Sequence, residues 1–397
     1  MSSSLRARFV LPIDRPPLRD GWVEVANGRI VSVGQGRPPG QARDLGDAAL
    51  LPGLVNAHTH LELAWMAGRI APADSMPEWV AQLLDLRGAP PPAARAAAAE
   101  QAAGAAMAAA GTVLAGDISN TLSSPGPLVA AGLGGVVFHE VMGFNTADPA
   151  THVRDAWDRV DAQPARPDLD FSVAAHAPYS TSSGVFREVG RRAREAPLTV
   201  HLAESAEEVE FLHTGRGPFR DLLERRGIWT DGWEAPRCSP VEYLEGLGYL
   251  QPGLLVVHAV HLVDDDLEQL REAGAVLVAC PRSNALVGAG LPRLTHFYAS
   301  DVPVAIGTDS LASVGSLSVF DEMAEMRRIA PDVAAAAILD SATRVGAEAL
   351  GFGADFGTLA RGKRARFVMV DVPSGVGDVE EYLVSGLSPG AIRPLVS

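Results

Sequence analysis

The chain has 397 residues, with 33 Lys and Arg against 48 Asp and Glu, which gives a formal net charge of −15. An acidic chain without a basic cluster argues against nucleic acid as a partner, because phosphate binding needs patches of lysine and arginine. Lys363 is the only lysine, so residues 1–362 cannot supply a Schiff-base lysine, a pyridoxal-phosphate lysine or the lysine of a Walker loop. Two cysteines, Cys238 and Cys280, are too few for a disulfide framework or a four-cysteine zinc site.

The hydrophobic pattern indicates a buried core and no membrane segment. Hydrophobic residues make up 47% of the chain, yet no window approaches the roughly 18 consecutive apolar residues of a membrane-spanning helix. The start of the chain has charges and prolines where a signal peptide has an apolar core. We therefore expect a cytoplasmic protein that does not bind membranes, and we expect a homodimer.

Both ends of the chain predict short strands. Residues 22–25 and 30–33 are extended stretches around an Asn27-Gly28 turn, which predicts a hairpin. Residues 366–371 alternate between apolar and polar side chains and predict another strand. We expect residues 1–50 and 357–397 to form one small β-sandwich domain from both termini.

Between these ends, short apolar runs alternate with helix-like stretches. An alanine-rich stretch at 93–110 predicts the first long helix, because alanine has the highest helix propensity. Alternation of buried strand and helix is typical of a parallel α/β fold, and eight units predict a closed (β/α)8 TIM barrel over residues 51–356. The eight candidate strands lie near residues 51–56, 112–116, 135–138, 171–175, 198–202, 254–257, 275–279 and 302–306.

Polar side chains follow several of these strands, at the barrel edge that carries function. His58 and His60 are two apart on an extended backbone, so both imidazoles face the barrel mouth. Alone, this pair is compatible with ordinary polar surface, His201 with a hydrogen-bonded core residue, and Asp309 with a helix N-cap. Together, four ligand-capable groups at the ends of strands one, five and eight predict a site for one divalent metal ion.

Two further strand-end residues predict acid–base chemistry. Glu204 lies three residues past His201, close enough to reach a water molecule at the metal; the alternative is a helix-capping or surface glutamate. His258 ends strand six, where it can orient a hydroxide and stabilise developing charge; the alternative is a packed strand-end histidine.

The motifs LPGLVNAHTH, HLAES, CPRSN and GTDSLAS, with the histidine of strand six, resemble those of the amidohydrolase superfamily, specifically its cytosine/adenosine deaminase and chlorohydrolase-like branch. The resemblance spans essentially the whole chain. It implies one zinc or iron ion whose hydroxide attacks an aromatic C–NH2 carbon. It also implies the metal ligands His58, His60, His201 and Asp309, with catalytic roles for Glu204 as proton shuttle, for His258 and for Asp309 as proton acceptor.

The scarcity of lysine distinguishes two kinds of metal site. Other members of the superfamily hold two metals with a carbamylated lysine at the end of strand four, where this chain has His176. We therefore expect a mononuclear site. This expectation favours deamination of a heteroaromatic ring over the lactam and phosphotriester hydrolyses associated with lysine-bridged metal pairs.

Substrate contacts are predicted from loops and strand ends. Trp65 and Trp79 either stack on a flat ring or anchor a loop lid, and an arginine near the mouth either binds a carboxylate or lies on the surface. Pro77 stands where some nucleoside-type relatives have a glutamate, so their ribose-binding residues do not transfer simply. The predicted substrate-binding residues are His176, Trp65, Trp79, Glu140, Arg216 and Arg282.

Within the branch, NAHTHLEL, FHEV, HAPYS and the GRGPF loop are most similar to the 6-aminodeoxyfutalosine deaminases of the alternative menaquinone route. On this resemblance Glu140 contacts the substrate; a structural role at a strand end is the alternative. The expected substrate is a purine-like heteroaromatic small molecule. Two other functions stay open: an amidohydrolase or chlorohydrolase acting on another heterocycle, and a non-catalytic metal-binding barrel. Glu204 and His258 disfavour the last, because a scaffold does not need a proton shuttle.

Overall fold

The structure, a computed structural model, describes residues 2–193 and 196–396. Met1 and Ser397, the outer ends of the predicted small domain, lie outside the described residues. The strands in chain order are β1 (Ser2–Val10), β2 (Leu18–Ala26), β3 (Arg29–Gln35), β4 (Ala42–Asp44), β5 (Ala48–Pro52), β6 (Leu54–Thr59), β7 (Thr112–Ser119), β8 (Gly134–Val141), β9 (Leu169–Ala175), β10 (Thr199–Leu202), β11 (Leu255–His258), β12 (Val276–Ala279), β13 (Val304–Ile306), β14 (Arg366–Asp371) and β15 (Ile392–Val396).

Helices follow most of these strands. The α-helices are α1 (Met76–Arg87), α2 (Ala93–Ala109), α3 (Pro125–Ala130), α4 (Pro149–Asp161), α5 (Ser183–Arg192), α6 (Ala206–Thr214), α7 (Pro218–Arg225), α8 (Pro240–Gly246), α9 (Asp264–Ala273), α10 (Pro281–Leu286), α11 (Leu294–Ala299), α12 (Val319–Ile329), α13 (Ala335–Asp340), α14 (Gly346–Ala349) and α15 (Val379–Val384). Short 3-10 helices span Leu61–Met66 and Pro389–Ala391, and a π-helical turn spans Ser341–Val345. Among the described residues, none of these helices is long and apolar enough to cross a membrane.

The two ends of the chain form one small β domain. β2 and β3 make the predicted hairpin, and both turn residues, Asn27 and Gly28, have a left-handed backbone, as an Asn-Gly turn requires. β5 pairs with β1 on one side and with β14 on the other, and β14 pairs with β15. β5 therefore connects the first and last strands of the chain, and the predicted association of the two ends is confirmed. The domain boundaries at residues 50/51 and 356/357 stay predictions.

The eight barrel strands pair in two parallel runs, β6 to β9 and β10 to β13. Backbone hydrogen bonds join the two runs at both of their ends. Between β9 and β10, the amide of His201 donates to the carbonyl of His176, and between β13 and β6, the amide of Thr308 donates to the carbonyl of His58, each at 2.9 Å. The fold is a TIM barrel with a small β domain, as the sequence predicted. The first barrel strand begins at Leu54 rather than residue 51, because the residues just before it belong to β5.

Close backbone packing inside the barrel depends on a glycine at the start of β8. Gly135 has φ 125°, and a Cβ placed there would lie 2.0 Å from the carbonyl oxygen of Ala115 on β7. Only glycine adopts this backbone without strain, and the neighbouring atoms are backbone atoms, which cannot rotate away.

We expect Gly135→Ala to lower the free energy of unfolding by at least about 2 kcal/mol, because backbone strain adds to overpacking. Urea denaturation followed by circular dichroism measures the change. Gly126→Ala is the matched control: it lies on α3 with no atom within 4 Å of the new Cβ, and we expect a change below about 1 kcal/mol. Equal stability of the two variants would contradict the prediction.

Candidate active site

The site lies at the C-terminal ends of the barrel strands, where three strands end in a left-handed backbone. His258 has φ 74°, Asp309 has φ 60°, and Ala203, directly before Glu204, has φ 48°. Residues other than glycine seldom adopt a positive φ, which costs of order 1–3 kcal/mol. Here the sharp turn ends each strand, and the side chains of Glu204, His258 and Asp309 all line the barrel mouth. Strained backbone concentrated at this edge is typical of a functional site.

Three of the predicted ligands form a compact cluster of imidazoles. The ligand atoms of His58, His60 and His201 lie within 4.8 Å of one another, and the Nε2 atoms of His60 and His201 are 3.3 Å apart. Asp309 Oδ1 is 3.6 Å from His60 Nε2. The barrel register thus brings all four predicted ligands together.

The cluster fits a divalent metal ion. Both ring nitrogens of His58 are buried and have no hydrogen-bond partner in the part of the chain that the structure describes. Buried polar atoms normally have a hydrogen-bond partner or a bound metal ion. The imidazole of His58 is therefore suited to act as a metal ligand. Three imidazoles and one carboxylate are a donor set that zinc and similar divalent ions accept.

Burial keeps these histidines in the form that binds metal. Desolvation lowers the pKa of His60 and of His201 to about 3, and it lowers the pKa of His58 well below the ordinary range, with repulsion from His201 as a second cause. A neutral imidazole is the protonation state that ligates a metal. His201 Nδ1 also donates to the carbonyl of His176 at 3.1 Å, which leaves Nε2 free as the ligand atom.

The segment after β12, which carries the CPRSN motif, forms hydrogen bonds to two of the site residues, Asp309 and His258. Ser283 Oγ donates to Asp309 Oδ2 at 2.5 Å, and Asn284 Nδ2 donates to His258 Nδ1 at 2.9 Å. Both residues lie in the first turn of α10 and are fully buried. A rigid helix turn therefore orients Asp309 and His258 together.

Glu204 and His258 form a buried pair beside the imidazole cluster. Glu204 Oε1 lies 3.4 Å from His258 Nε2. The backbone amides of Ala203 and Glu204 donate to the carboxylate of Glu208 at 2.9 and 3.1 Å, which holds this segment in place. Burial raises the pKa of Glu204 well above its ordinary value, and the nearby Asp309 raises it further. A carboxyl group with a raised pKa is suited to donate and to accept protons near neutral pH.

These groups form the polar end of a cavity of about 410 Å³. Its other walls are largely apolar, and helices α1 and α7 supply many of them. Tyr179 and Phe219 stack in this wall with ring centroids 4.0 Å apart. A cavity of this size, with apolar walls and a few convergent polar groups, is typical of a small-molecule site. The apolar lining includes Leu63, Met76, Leu83, Phe144, Leu222 and Ile228.

The predicted substrate residues occupy different positions. His176 and Trp79 line the cavity. Glu140 lies behind them instead: its Oε1 is 3.6 Å from His201 Nδ1 and 4.0 Å from His176 Nε2, while Asn120 Nδ2 donates to its Oε2 at 2.9 Å. Glu140 thus contacts the histidines of the site rather than the open cavity.

The other three predicted substrate residues, Trp65, Arg216 and Arg282, are not among the residues that line the cavity. Trp65 is half-buried, with the guanidinium of Arg69 5.2 Å from its ring centre. Arg216 is exposed. Arg282 points toward α12, where its guanidinium lies 3.4 Å from the buried carboxylate of Glu322. Their part in substrate binding stays a prediction without a contact to support it.

Sequence reasoning missed Arg87, which lines the cavity and donates to Asn120 Oδ1 at 2.9 Å. The signal for it exists in the sequence: Trp79, Leu83 and Arg87 are spaced by four residues, which places them on one face of a helix. That spacing becomes informative only when α1 is known to cover the site.

The chain is similar to known proteins in sequence and in structure. The profile of the amidohydrolase family matches residues 49–392. The chain is 30% identical to an aminodeoxyfutalosine deaminase of Deinococcus radiodurans over 79% of this chain and 76% of that protein. It is also 30% identical to a 5-methylthioadenosine/S-adenosylhomocysteine deaminase of Nitratidesulfovibrio vulgaris over 90% of this chain and 81% of that protein.

A solved structure of an adenosine deaminase from Xanthomonas campestris with bound zinc is similar throughout. The TM-score is 0.83 at 27% identity, covering 98% of this chain and 90% of that one. The family match extends from β5 to the start of β15 and so includes every barrel strand and every residue of the imidazole cluster. The chain therefore belongs to the amidohydrolase family.

Proposed function

We propose that this protein is a mononuclear, metal-dependent aminohydrolase that hydrolyses an aromatic C–NH2 bond of a purine-like small molecule and releases ammonia. One observation carries the proposal: the imidazole cluster and Asp309 converge beside Glu204 at the polar end of a largely apolar cavity. The similarity to deaminases of aminodeoxyfutalosine and of methylthioadenosine or S-adenosylhomocysteine supports the reaction class.

His58, His60, His201 and Asp309 would hold one zinc or iron ion. When bound, such an ion acts as a Lewis acid that lowers the pKa of water, so that hydroxide is available at neutral pH. No residue before Lys363 is a lysine, which supports a single ion over a lysine-bridged pair.

The chain's own carboxylates would move the protons. Ser283 and Ser313 donate to Asp309 Oδ2, so Oδ1 stays available to accept a proton from the attacking water. Glu204 would protonate the ring nitrogen next to the reacting carbon, take the proton of the added hydroxyl and pass it to the departing amine, and then regain a proton from Asp309. Water thus adds to the carbon, the C–N bond breaks, and the amine leaves as ammonia.

The cavity walls support a flat ring with an apolar substituent as the substrate. Trp79, Tyr179 and Phe219 are aromatic residues of the cavity lining, and aromatic side chains pack well against planar rings. His176 would contact the substrate; its position in the cavity lining next to the cluster supports this role. The proposal also includes two predictions about the whole protein, namely that it is cytoplasmic and that it forms a homodimer.

An ammonia-release screen tests the function. We expect turnover of at least one compound among adenosine, methylthioadenosine, S-adenosylhomocysteine, aminodeoxyfutalosine, guanine, cytosine and pterins, with preference for a 6-aminopurine that carries an apolar substituent. Silence across the panel by metal-loaded protein would contradict the proposal. Release of chloride from a chlorinated triazine instead of ammonia would favour a chlorohydrolase.

Metal analysis tests the ligand set. We expect about one equivalent of zinc or iron per chain and loss of activity on chelation, since the ion supplies the nucleophile. His201→Ala should lower metal affinity at least about 100-fold, which is the upper range for losing even an indirect partner of a ligand. His213→Ala is the control, because His213 is exposed on α6. Two tightly bound equivalents, or a His201→Ala protein that keeps its metal, would refute the site.

Glu204→Gln tests the proton shuttle. The amide keeps the size of the side chain but cannot transfer a proton, so we expect kcat to fall about 10²–10⁴-fold with metal content unchanged. Glu210→Gln, an exposed position on the following helix, should behave like the unmodified protein. Ammonia release and metal content, measured on the same preparations, separate the two effects. Undiminished turnover would remove Glu204 from the mechanism.

A further inference from the structure

His258 has a different buried partner at each of its ring nitrogens. Nδ1 lies 2.9 Å from Nδ2 of Asn284, and Nε2 lies 3.4 Å from Oε1 of Glu204. His258 is 1% exposed and Asn284 is fully buried. Solvent therefore has little access to this contact, and protein groups decide which ring nitrogen carries the proton.

The amide of Asn284 selects one tautomer of the imidazole. An amide NH2 group donates and cannot accept, so with the amide in this orientation the nitrogen that faces it is unprotonated. With Nδ1 acting as the acceptor, the ring proton of a neutral His258 resides on Nε2. The nitrogen that carries the proton then lies 3.4 Å from Glu204 Oε1, at the cavity that both residues line.

The other polar atom of the Asn284 amide, Oδ1, is buried and makes no hydrogen bond in the described part of the chain. A buried acceptor without a partner is unfavourable, and the hydrogen bond to His258 offsets part of that cost. The bond to His258 is the polar contact that this side chain makes.

Asn284 is itself held rigidly. Its backbone amide donates to the carbonyl of Cys280 at 3.1 Å, and its carbonyl accepts from the amide of Ala289 at 3.0 Å. The preceding residue, Ser283, binds Asp309. A side chain on a fixed helix turn can orient its partner within narrow limits, which a loop residue does less well.

We propose that Asn284 is a positioning residue that fixes His258 in the tautomer protonated at Nε2, so that the nitrogen nearer to Glu204 and the substrate carries the ring proton. Asn284 acts through His258, because Asn284 is not among the residues that line the cavity. The consequence for turnover rests on the proposed function, whereas the tautomer does not. In serine proteases, the wrong tautomer of a catalytic histidine lowers kcat by about 10⁴-fold.

Nitrogen NMR of histidine-labelled, metal-loaded protein measures the tautomer directly. The signals of His258 are those that disappear in His258→Gln. We expect Nδ1 to be unprotonated in the unmodified protein. In Asn284→Asp, which has the same shape but offers an acceptor to the ring, Nδ1 should become protonated. A protonated Nδ1 in the unmodified protein, or an unchanged Nδ1 in Asn284→Asp, would overturn the proposal.

Kinetics on the same variant test the consequence. With the best substrate of the ammonia screen, we expect kcat of Asn284→Asp to fall at least about 100-fold, with KM within about threefold and one equivalent of metal retained. Undiminished kcat would show that the tautomer does not matter for turnover and would overturn the positioning role. If no compound is turned over, the proposed function fails, while the NMR result still decides the tautomer.

Ser172→Ala is the matched control for loss of a buried hydrogen bond. Ser172 is fully buried on β9, and its Oγ donates to the carbonyl of Pro197 at 2.7 Å, away from the cavity lining. We expect lower thermal stability but unchanged kcat and an unchanged His258 tautomer. A merely structural role for Asn284 would give this same pattern, which would count against the proposal.

Discussion

The site depends on the backbone contact that closes the barrel. The amides of Thr308 and Asp309 donate to the carbonyl of His58 at 2.9 and 3.1 Å, which joins the last barrel strand to the first. The same contact places the carboxylate of Asp309 beside His60. Because backbone atoms join residues that are far apart in the sequence, the geometry does not rely on flexible side chains. The contact that closes the barrel therefore also assembles the site.

Around this contact, desolvation determines the protonation states of the site residues, and a few buried hydrogen bonds fix their orientation. Burial keeps the imidazoles neutral and raises the pKa of the carboxyl groups of Glu204 and Asp309. Unpaired, such groups would be costly. Ser283 and Glu208 compensate by fixing Asp309 and the segment at Glu204 from outside the cavity. The residues that tune the site are therefore largely not those that line it.

The cavity walls have a separate origin from the chemistry. Barrel strand ends supply the polar groups, whereas α1 and α7 supply much of the apolar lining. The guanidinium of Arg226, just after α7, bonds to the carbonyl of Ala81 and to the carboxylate of Asp85 on α1, at 3.1 and 2.6 Å, so the two helices are tied together. The polar groups of the site and most of its apolar walls therefore come from different parts of the fold.

The sequence by itself determined the eight barrel strands and the group of ligand candidates, because strand periodicity and strand-end motifs are local patterns. The tertiary structure decided which side chains reach the cavity. Arg282 faces Glu322, Glu140 lies behind His201, and Arg87 enters from a helix outside the barrel. Local patterns do not encode the direction in which a side chain points once distant helices pack over it, since that direction depends on partners far away in sequence.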